Sequence, residues 1–284
     1  MQIITTIREM QKLSEQVRLS GKRVGVVPTM GYLHAGHISL IETARGISDV
    51  VITTIFVNPT QFGPGEDFER YPRDFEHDRT LATRAGSDVL FCPDVREMYP
   101  EGYATYVEVE NVSKVLEGKF RPTHFRGVTT VVMKLLNITK PHVAVFGQKD
   151  AQQAFIVRKM VQELNLDVVI HVAPIVREPD GLAMSSRNVY LSPTERANAT
   201  VLFKSLQLAE RRIQAGERSV EKLRSEMLSL IASGNPTQVD YVAFVRPETF
   251  QEIEQIEPPS VLALLAVRFG STRLIDNMLI NVQS

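Results

Sequence analysis

Val24-Gly25-Val26-Val27-Pro28-Thr29-Met30-Gly31-Tyr32-Leu33-His34-Ala35-Gly36-His37-Ile38-Ser39-Leu40-Ile41 changes its hydrophobic pattern halfway along. The apolar run 24–27 reads as a buried strand and Ile38-Ser39-Leu40-Ile41 opens a helix, so residues 28–36 form a strand-to-helix loop. Such a loop lies beside unpaired backbone N–H groups and the positive end of the helix dipole. Gly36 lets backbone or phosphate approach closely. The imidazoles of His34 and His37 can donate to phosphate oxygens whose charge is redistributed during attack at phosphorus. Two other readings stand beside this one. One histidine could cap the helix while the other packs, or the two could ligate a metal, although no third ligand lies nearby in sequence.

Working outward, Ile7, Met10, Leu13 and Val17 recur at helical spacing, with Thr6 and Glu9 as a capping box and Gly21 as a stop. Strands are expected at 50–57, 89–91, 143–146 and 168–172, and helices at 75–84, 128–138 and 151–164. Strand and helix alternating through about 170 residues predict an α/β fold with a Rossmann-like, doubly wound parallel sheet. Ligands of such sheets bind at the carboxyl ends of the strands, and the candidate chemistry follows Val27, Val57 and Phe146. The pattern changes near Pro174. Ser192-Pro193-x-Glu195 starts two amphipathic helices, 193–215 and 219–232, and strands are expected at 239–245, 261–269 and 273–282. A smaller α+β C-terminal domain is therefore expected, with the boundary between residues 175 and 176. Pro258-Pro259 reads as a rigid turn.

Composition narrows the function classes. The 284 residues are 43% apolar and 23% charged, with a formal net charge of -1. Bulk charge thus gives no reason to expect nucleic acid or an anionic membrane as partner. No apolar run approaches the ~20 residues of a membrane span, and the N-terminal segment lacks a signal-peptide core. The single cysteine, Cys92, reads as a small buried hydrophobe in a reducing compartment. The expectation is a soluble, cytoplasmic protein.

Three further motifs carry chemistry. Asn58-Pro59-Thr60-Gln61-Phe62-Gly63-Pro64-Gly65 follows a strand end with two amides, which read hydroxyls and carboxylates without adding charge. Phe146-Gly147-Gln148-Lys149-Asp150-Ala151-Gln152-Gln153 puts a compact cation, Lys149, at a strand-to-helix turn. Asp150 there is open to three roles: helix cap, ribose contact or magnesium contact. Met184-Ser185-Ser186-Arg187-Asn188 offers two hydroxyls and a guanidinium as a clamp on pyrophosphate. Arg121 and Arg126 are candidates for an acidic substrate or for surface ion pairs. Asp74, Glu76 and Asp78 are candidates for metal or phosphate support or for helix-start charges.

In this order and spacing the four motifs resemble the pantothenate synthetase (pantoate–β-alanine ligase) family. The likeness extends down to Arg273-Leu274-Ile275-Asp276-Asn277. The wider superfamily of nucleotidylyltransferases and class I aminoacyl-tRNA synthetases shares the His-x-Gly-His loop but not the second and third motifs. Met184–Arg187 resembles their Lys-Met-Ser-Lys-Ser loop.

The resemblance implies an ATP- and pantoate-binding domain at 1–175 and a C-terminal lid at 176–284. It implies a two-step reaction, in which pantoate carboxylate attacks the α-phosphate of ATP and the amine of β-alanine then attacks the pantoyl adenylate, releasing AMP. By position, His34 and His37 hold ATP phosphates and are catalytic, His37 being the residue the family treats so, and Met30 and Gly36 line the nucleotide pocket. Gly147, Lys149, Asp150, Val176, Met184, Ser185, Ser186 and Arg187 contact ATP, with Lys149 also catalytic. Gln61 and Gln153 hold pantoate. The family also implies Mg2+ and a homodimer. Ala151 stands where an aromatic is common, and His77 where some members carry an acid, so no metal ligand is assigned. A nucleotidylyltransferase that moves AMP onto a phosphorylated acceptor is the alternative. A non-catalytic nucleotide-binding module would be expected to lose some of His34, His37, Lys149 and Arg187.

Overall fold

A computed structural model describes residues 1–283. The chain divides into two compact units, residues 1–148 with 152–174, and residues 149–151 with 175–284.

In the first unit the order of elements is β1 (Gln2–Ile4), α1 (Ile7–Leu19), β2 (Val24–Thr29), α2 (Ala35–Ile47), β3 (Val50–Ile55), α3 (Phe75–Arg84) and β4 (Val89–Phe91). Two single-turn helices, α4 (Val95–Met98) and α5 (Glu117–Phe120), precede α6 (His124–Thr139), β5 (Val143–Gly147), α7 (Ala151–Glu163) and β6 (Val169–Ala173). The six strands form one parallel sheet ordered β1-β4-β3-β2-β5-β6. From β2 the chain winds outward through β3 to β4, then crosses back to β5 on the other side of β2. The reversal lies between β2 and β5, so their carboxyl ends flank the crevice where such sheets take ligands. The loop after β2 carries His34 and His37, and β5 ends at Gly147. Val27, Ile41, Val51, Leu90 and Val145 fill the core beside these strands.

The second unit holds the short α8 (Pro193–Asn198), then α9 (Val201–Gln214), α10 (Val220–Ala232) and an antiparallel sheet β7-β8-β9 (Gln238–Val245, Ser260–Phe269, Thr272–Asn281). Its core joins Leu206, Ile213, Leu223 and Met227 of the helices to Phe244, Leu265 and Ile280 of the sheet. Pro258-Pro259 is a cis peptide just before β8.

Several expectations need correction. Strand β1 was not foreseen: three residues are too few to show alternation, and parallel pairing with β4 makes them a strand. The helix expected at 193–215 is two helices, because Ala199 and Thr200 interrupt it. Its start does carry the reciprocal Ser192–Glu195 capping box. At α1, Thr6 instead caps Glu9 N–H while its own hydroxyl donates to the Glu9 carboxylate. Helix α6 begins four residues earlier than its apolar pattern, at His124.

Helix α6 lies directly on the Asn58–Gln61 turn. A Cβ added at Gly127 would sit 2.3 Å from Thr60 O and 2.6 Å from Gln61 N. Gly127→Ala should therefore lower the thermal midpoint by several degrees, an overpacking cost of about 1–3 kcal/mol or more. Gly46→Ala in α2 meets nothing within 4 Å and should be neutral or stabilising by up to about 1 kcal/mol. Equal midpoints for the two variants would contradict this packing.

Candidate active site

The first four N–H groups of a helix have no partner inside it. At α2 the imidazoles supply two. His34 is the N-cap, and its Nδ1 accepts the Gly36 N–H at 3.1 Å. His37 Nδ1 accepts the His34 N–H at 3.3 Å, completing a reciprocal capping box. The rings lie 4.1 Å apart between centroids. A ring nitrogen that accepts an N–H cannot carry a proton, so in both residues the proton resides on Nε2. Capping and phosphate donation, set against each other on sequence alone, call on different nitrogens, so the cap is compatible with the donor reading.

The turn before this cap is held from α3. Asp78, 1% exposed, accepts Tyr32 N–H at 2.8 Å and Leu33 N–H at 2.6 Å on its two carboxylate oxygens. His77 Nε2 lies 3.2 Å from Leu33 O. Gly31 and Tyr32 both take positive φ, and a Cβ at Gly31 would meet Asp78 Oδ2 at 2.8 Å. Burial pushes the Asp78 carboxyl above the usual range, against the pull of the two backbone donors. Asp78 is thus a backbone clamp, each of its oxygens accepting one N–H of the loop. Asp74 caps α3 by accepting His77 N–H.

The amides of the second motif are ordered by a buried network. Asn58 Nδ2 donates to Gly127 O and to Gln61 Oε1, both at 3.1 Å. Asn58 Oδ1 accepts from Tyr99 Oη at 2.8 Å and from the Thr60 hydroxyl at 3.0 Å. Because Gly127 O can only accept, the Asn58 amide has one orientation, and Gln61 must turn its oxygen toward Asn58. Gln61 Nε2 then faces the other way, 3.0 Å from Met30 Sδ. Gln61 therefore presents N–H donors, the polarity that a carboxylate or hydroxyl oxygen needs.

The Gln61 carbonyl is fixed independently. His124 Nδ1 lies 3.0 Å from it and Arg121 Nη2 3.3 Å. Arg121 also contacts His124 Nε2 at 3.1 Å and binds both Glu66 oxygens at 2.7 Å. Arginine offers donors only, so His124 Nε2 accepts and Nδ1–H donates to Gln61. Burial, with the Arg121 charge adding to it, pushes the His124 imidazole down to about 4. Burial alone would raise Glu66, but its pair with Arg121 holds that carboxyl below the usual range. Arg121 is engaged in this pair and positions Gln61, which corrects its reading as a substrate cation. The Arg126 guanidinium stacks 3.9 Å from the Tyr106 ring centroid.

On α7, neighbouring glutamines divide the work. Gln152 is buried and ties down Val112 O, Val115 O and Glu117 N. Gln153 is half-buried, and its amide has no hydrogen-bond partner among the described residues. Gly147 has room, since an added Cβ would lie 3.9 Å from Leu40.

In the second unit, Lys149 Nζ lies 3.7 Å from Asp150 Oδ1, and Lys149 O accepts from Asn277 Nδ2 at 3.0 Å. Val176 O accepts the Met184 N–H, closing a small hairpin with an Arg177–Ala183 bridge. Ser185 caps a 3-10 turn by accepting Arg187 N–H, and Ser186 is buried. Among the described residues no group of three or more His, Cys, Asp or Glu side chains converges as a metal site.

The sequence reading missed Asn58, Tyr99, His124 and Asn277 as site-ordering residues. Asn58 and Asn277 lay inside quoted motifs, but Asn58 bonds to Tyr99 and Gly127 and Asn277 to Lys149, tens of residues distant, and no local pattern marks such bonds.

The His124 shift has a definite sign. Between its ordinary 6.5 and about 4, the unfolded chain takes up a proton that the folded chain refuses. This group's stabilisation is present above pH 6.5 and lost as pH falls through 4, on the order of 3 kcal/mol. The drop in thermal midpoint from pH 6.5 to pH 4 should be visibly shallower in His124→Asn; parallel curves would contradict the buried neutral imidazole.

Comparison with known proteins shows the family. The family model described as pantoate-beta-alanine ligase matches residues 2–279. Pantothenate synthetase of Acetivibrio thermocellus is 54% identical over 282 residues, covering 99% of this chain and all of that one. A crystal structure of the Thermus thermophilus enzyme superposes with a TM-score of 0.93 at 45% identity, covering 98% of this chain and 99% of the other. The Francisella tularensis pantoate-beta-alanine ligase, solved with a β,γ-ATP compound and β-alanine, gives 0.80 at 35% identity, covering 98% and 97%. This chain belongs to the pantoate–β-alanine ligase family.

Proposed function

We propose that this family member ligates pantoate to β-alanine through a pantoyl adenylate, with the His34–His37 cap as its phosphate-stabilising element. The observation that supports this most is the shared tautomer, with both Nδ1 atoms bound to backbone and both Nε2 atoms carrying the proton. A pantoate carboxylate oxygen bonds to the α-phosphorus of ATP while the bond to the β-phosphate bridging oxygen breaks, and pyrophosphate leaves. His34 and His37 donate to oxygens on which charge accumulates, with the positive end of the α2 dipole beside them, and they need no reorganisation to do so. The β-alanine amine then bonds to the acyl carbon, loses a proton, and expels AMP. Both nucleophiles come from substrates, so no residue of these motifs is needed as a covalent nucleophile.

In this reading Met30 and Gly36 line the nucleotide pocket, and Gly147, Lys149, Asp150, Val176, Met184, Ser185, Ser186 and Arg187 contact ATP. Gln61 and Gln153 hold pantoate through their amides. Mg2+ fits as an ion that enters with the nucleotide, because it retains water and is usually held by one or two carboxylates plus substrate phosphates. Asp150, at the strand-to-helix turn beside Lys149, is a carboxylate suited to it. When bound, Mg2+ would offset triphosphate charge. No described helix is long and apolar enough to cross a membrane. A cytoplasmic homodimer, as the family resemblance implies, completes the proposal; light scattering should return twice 31.9 kDa.

A nucleotidylyltransferase would leave AMP attached to its product. We expect ATP cleavage only with pantoate present, and AMP appearing in step with pantothenate once β-alanine is added. Pyrophosphate exchange without pantoate, or an AMP-linked final product, would contradict the assignment. His37→Ala should lose about 10²–10³ in kcat with its circular dichroism unchanged. Activity within about tenfold of the parent, 1.4 kcal/mol, would remove His37 from the chemistry.

A further inference from the structure

The Arg273-Leu274-Ile275-Asp276-Asn277 motif lies on β9, far in sequence from every segment assigned a chemical role. Yet Asp276 and Asn277 are each only 2% exposed. Buried polar groups are costly unless paired, so their partners explain why they are there. Asp276 binds Arg177 through two hydrogen bonds of 2.6 and 2.9 Å. Arg177 in turn donates to Gly181 O at 3.0 Å and lies 4.0 Å from the Phe203 ring centroid. This fixes the hairpin whose far strand leads into Ser185, Ser186 and Arg187. Asn277 Nδ2 reaches a different segment, donating to Lys149 O at 3.0 Å. The two anchors are cross-linked, because Asn277 N–H donates to Asp276 Oδ1 at 2.8 Å and Arg177 Nη2 reaches Asn277 O at 3.4 Å.

We propose that Asn277 is a positioning residue for adenylation, its side-chain amide holding the Lys149 backbone on the same step of β9 that holds Arg177. The bond goes to the Lys149 main chain, so it sets where the side chain starts and leaves the ammonium group to its own partners. Lys149 and the Ser185–Arg187 segment thereby share one frame, and a displacement near 1 Å in such a group can cost about 10²-fold in rate. Asn277 touches no reacting atom. The proposal rests on the reading of Lys149 as an ATP contact.

A double-mutant cycle of Asn277→Ala and Lys149→Gln tests it, read as pantoate-dependent pyrophosphate release with single-turnover amounts of enzyme. Asn277→Ala should lower the maximal rate by roughly tenfold or more, with KM for pantoate unchanged within about twofold. In the Lys149→Gln background the same change should cost less than about twofold. An equal loss in both backgrounds, or no loss in the parent, would overturn the proposal. Near-parental activity of Lys149→Gln alone would overturn the ATP reading of Lys149, and the proposal with it, without reference to Asn277. If Asn277→Ala does not fold, Asn277→Ser is read in the same way. Failure of both to fold would assign the residue to stability alone and likewise overturn the positioning role.

Discussion

A helix that starts at a ligand crevice must find partners for its first N–H groups without blocking the crevice, and the start of α2 meets that constraint with two imidazoles. Each spends Nδ1 on the backbone and keeps the proton on Nε2. One arrangement therefore caps the helix, fixes both tautomers and sets the donor polarity of the site. A serine or aspartate cap would satisfy the helix equally well. Neither would leave a second, rigidly oriented donor.

The remaining network keeps that arrangement in register with the amides that follow β3. Asp78 grips the Tyr32–Leu33 turn from α3, and Asn58 fixes the polarity of Gln61. Arg121 and His124 hold the Gln61 carbonyl. Asp78, Asn58, Gln61 and His124 are buried and Arg121 is partly so, and leaving a buried one unpaired would cost about 1–3 kcal/mol, and more for a charge. Their pairing is with backbone atoms more often than with each other, which suits loops that must stay in one shape before substrate arrives.

Much of the fold was legible because it rests on long apolar periodicities. The strand at 24–27, the helix at 151–164 and the three C-terminal strands all announced themselves locally. What escaped was non-local. Strand β1 exists because β4 pairs with it, and the first turn of α6 carries His124, whose partner is the distant Gln61 carbonyl. In the site, His34, His37, Gln61 and Lys149 stood out through motif and placement, although their individual roles rest on the family likeness. Asp78 and Arg121 drew attention for their charge but turned out to serve the protein's own backbone and Glu66. A sequence shows that a charge exists; only the folded chain shows which atom neutralises it.

The central claim is that both histidines present Nε2–H because the backbone occupies Nδ1. Two-bond 15N–1H correlation spectra of the imidazoles at pH 8 test it without substrate or mutation. The account predicts, for His34 and His37 alike, a protonated Nε2 and an unprotonated, hydrogen-bonded Nδ1. A proton on Nδ1 of either ring, or rapid averaging between tautomers, would contradict it.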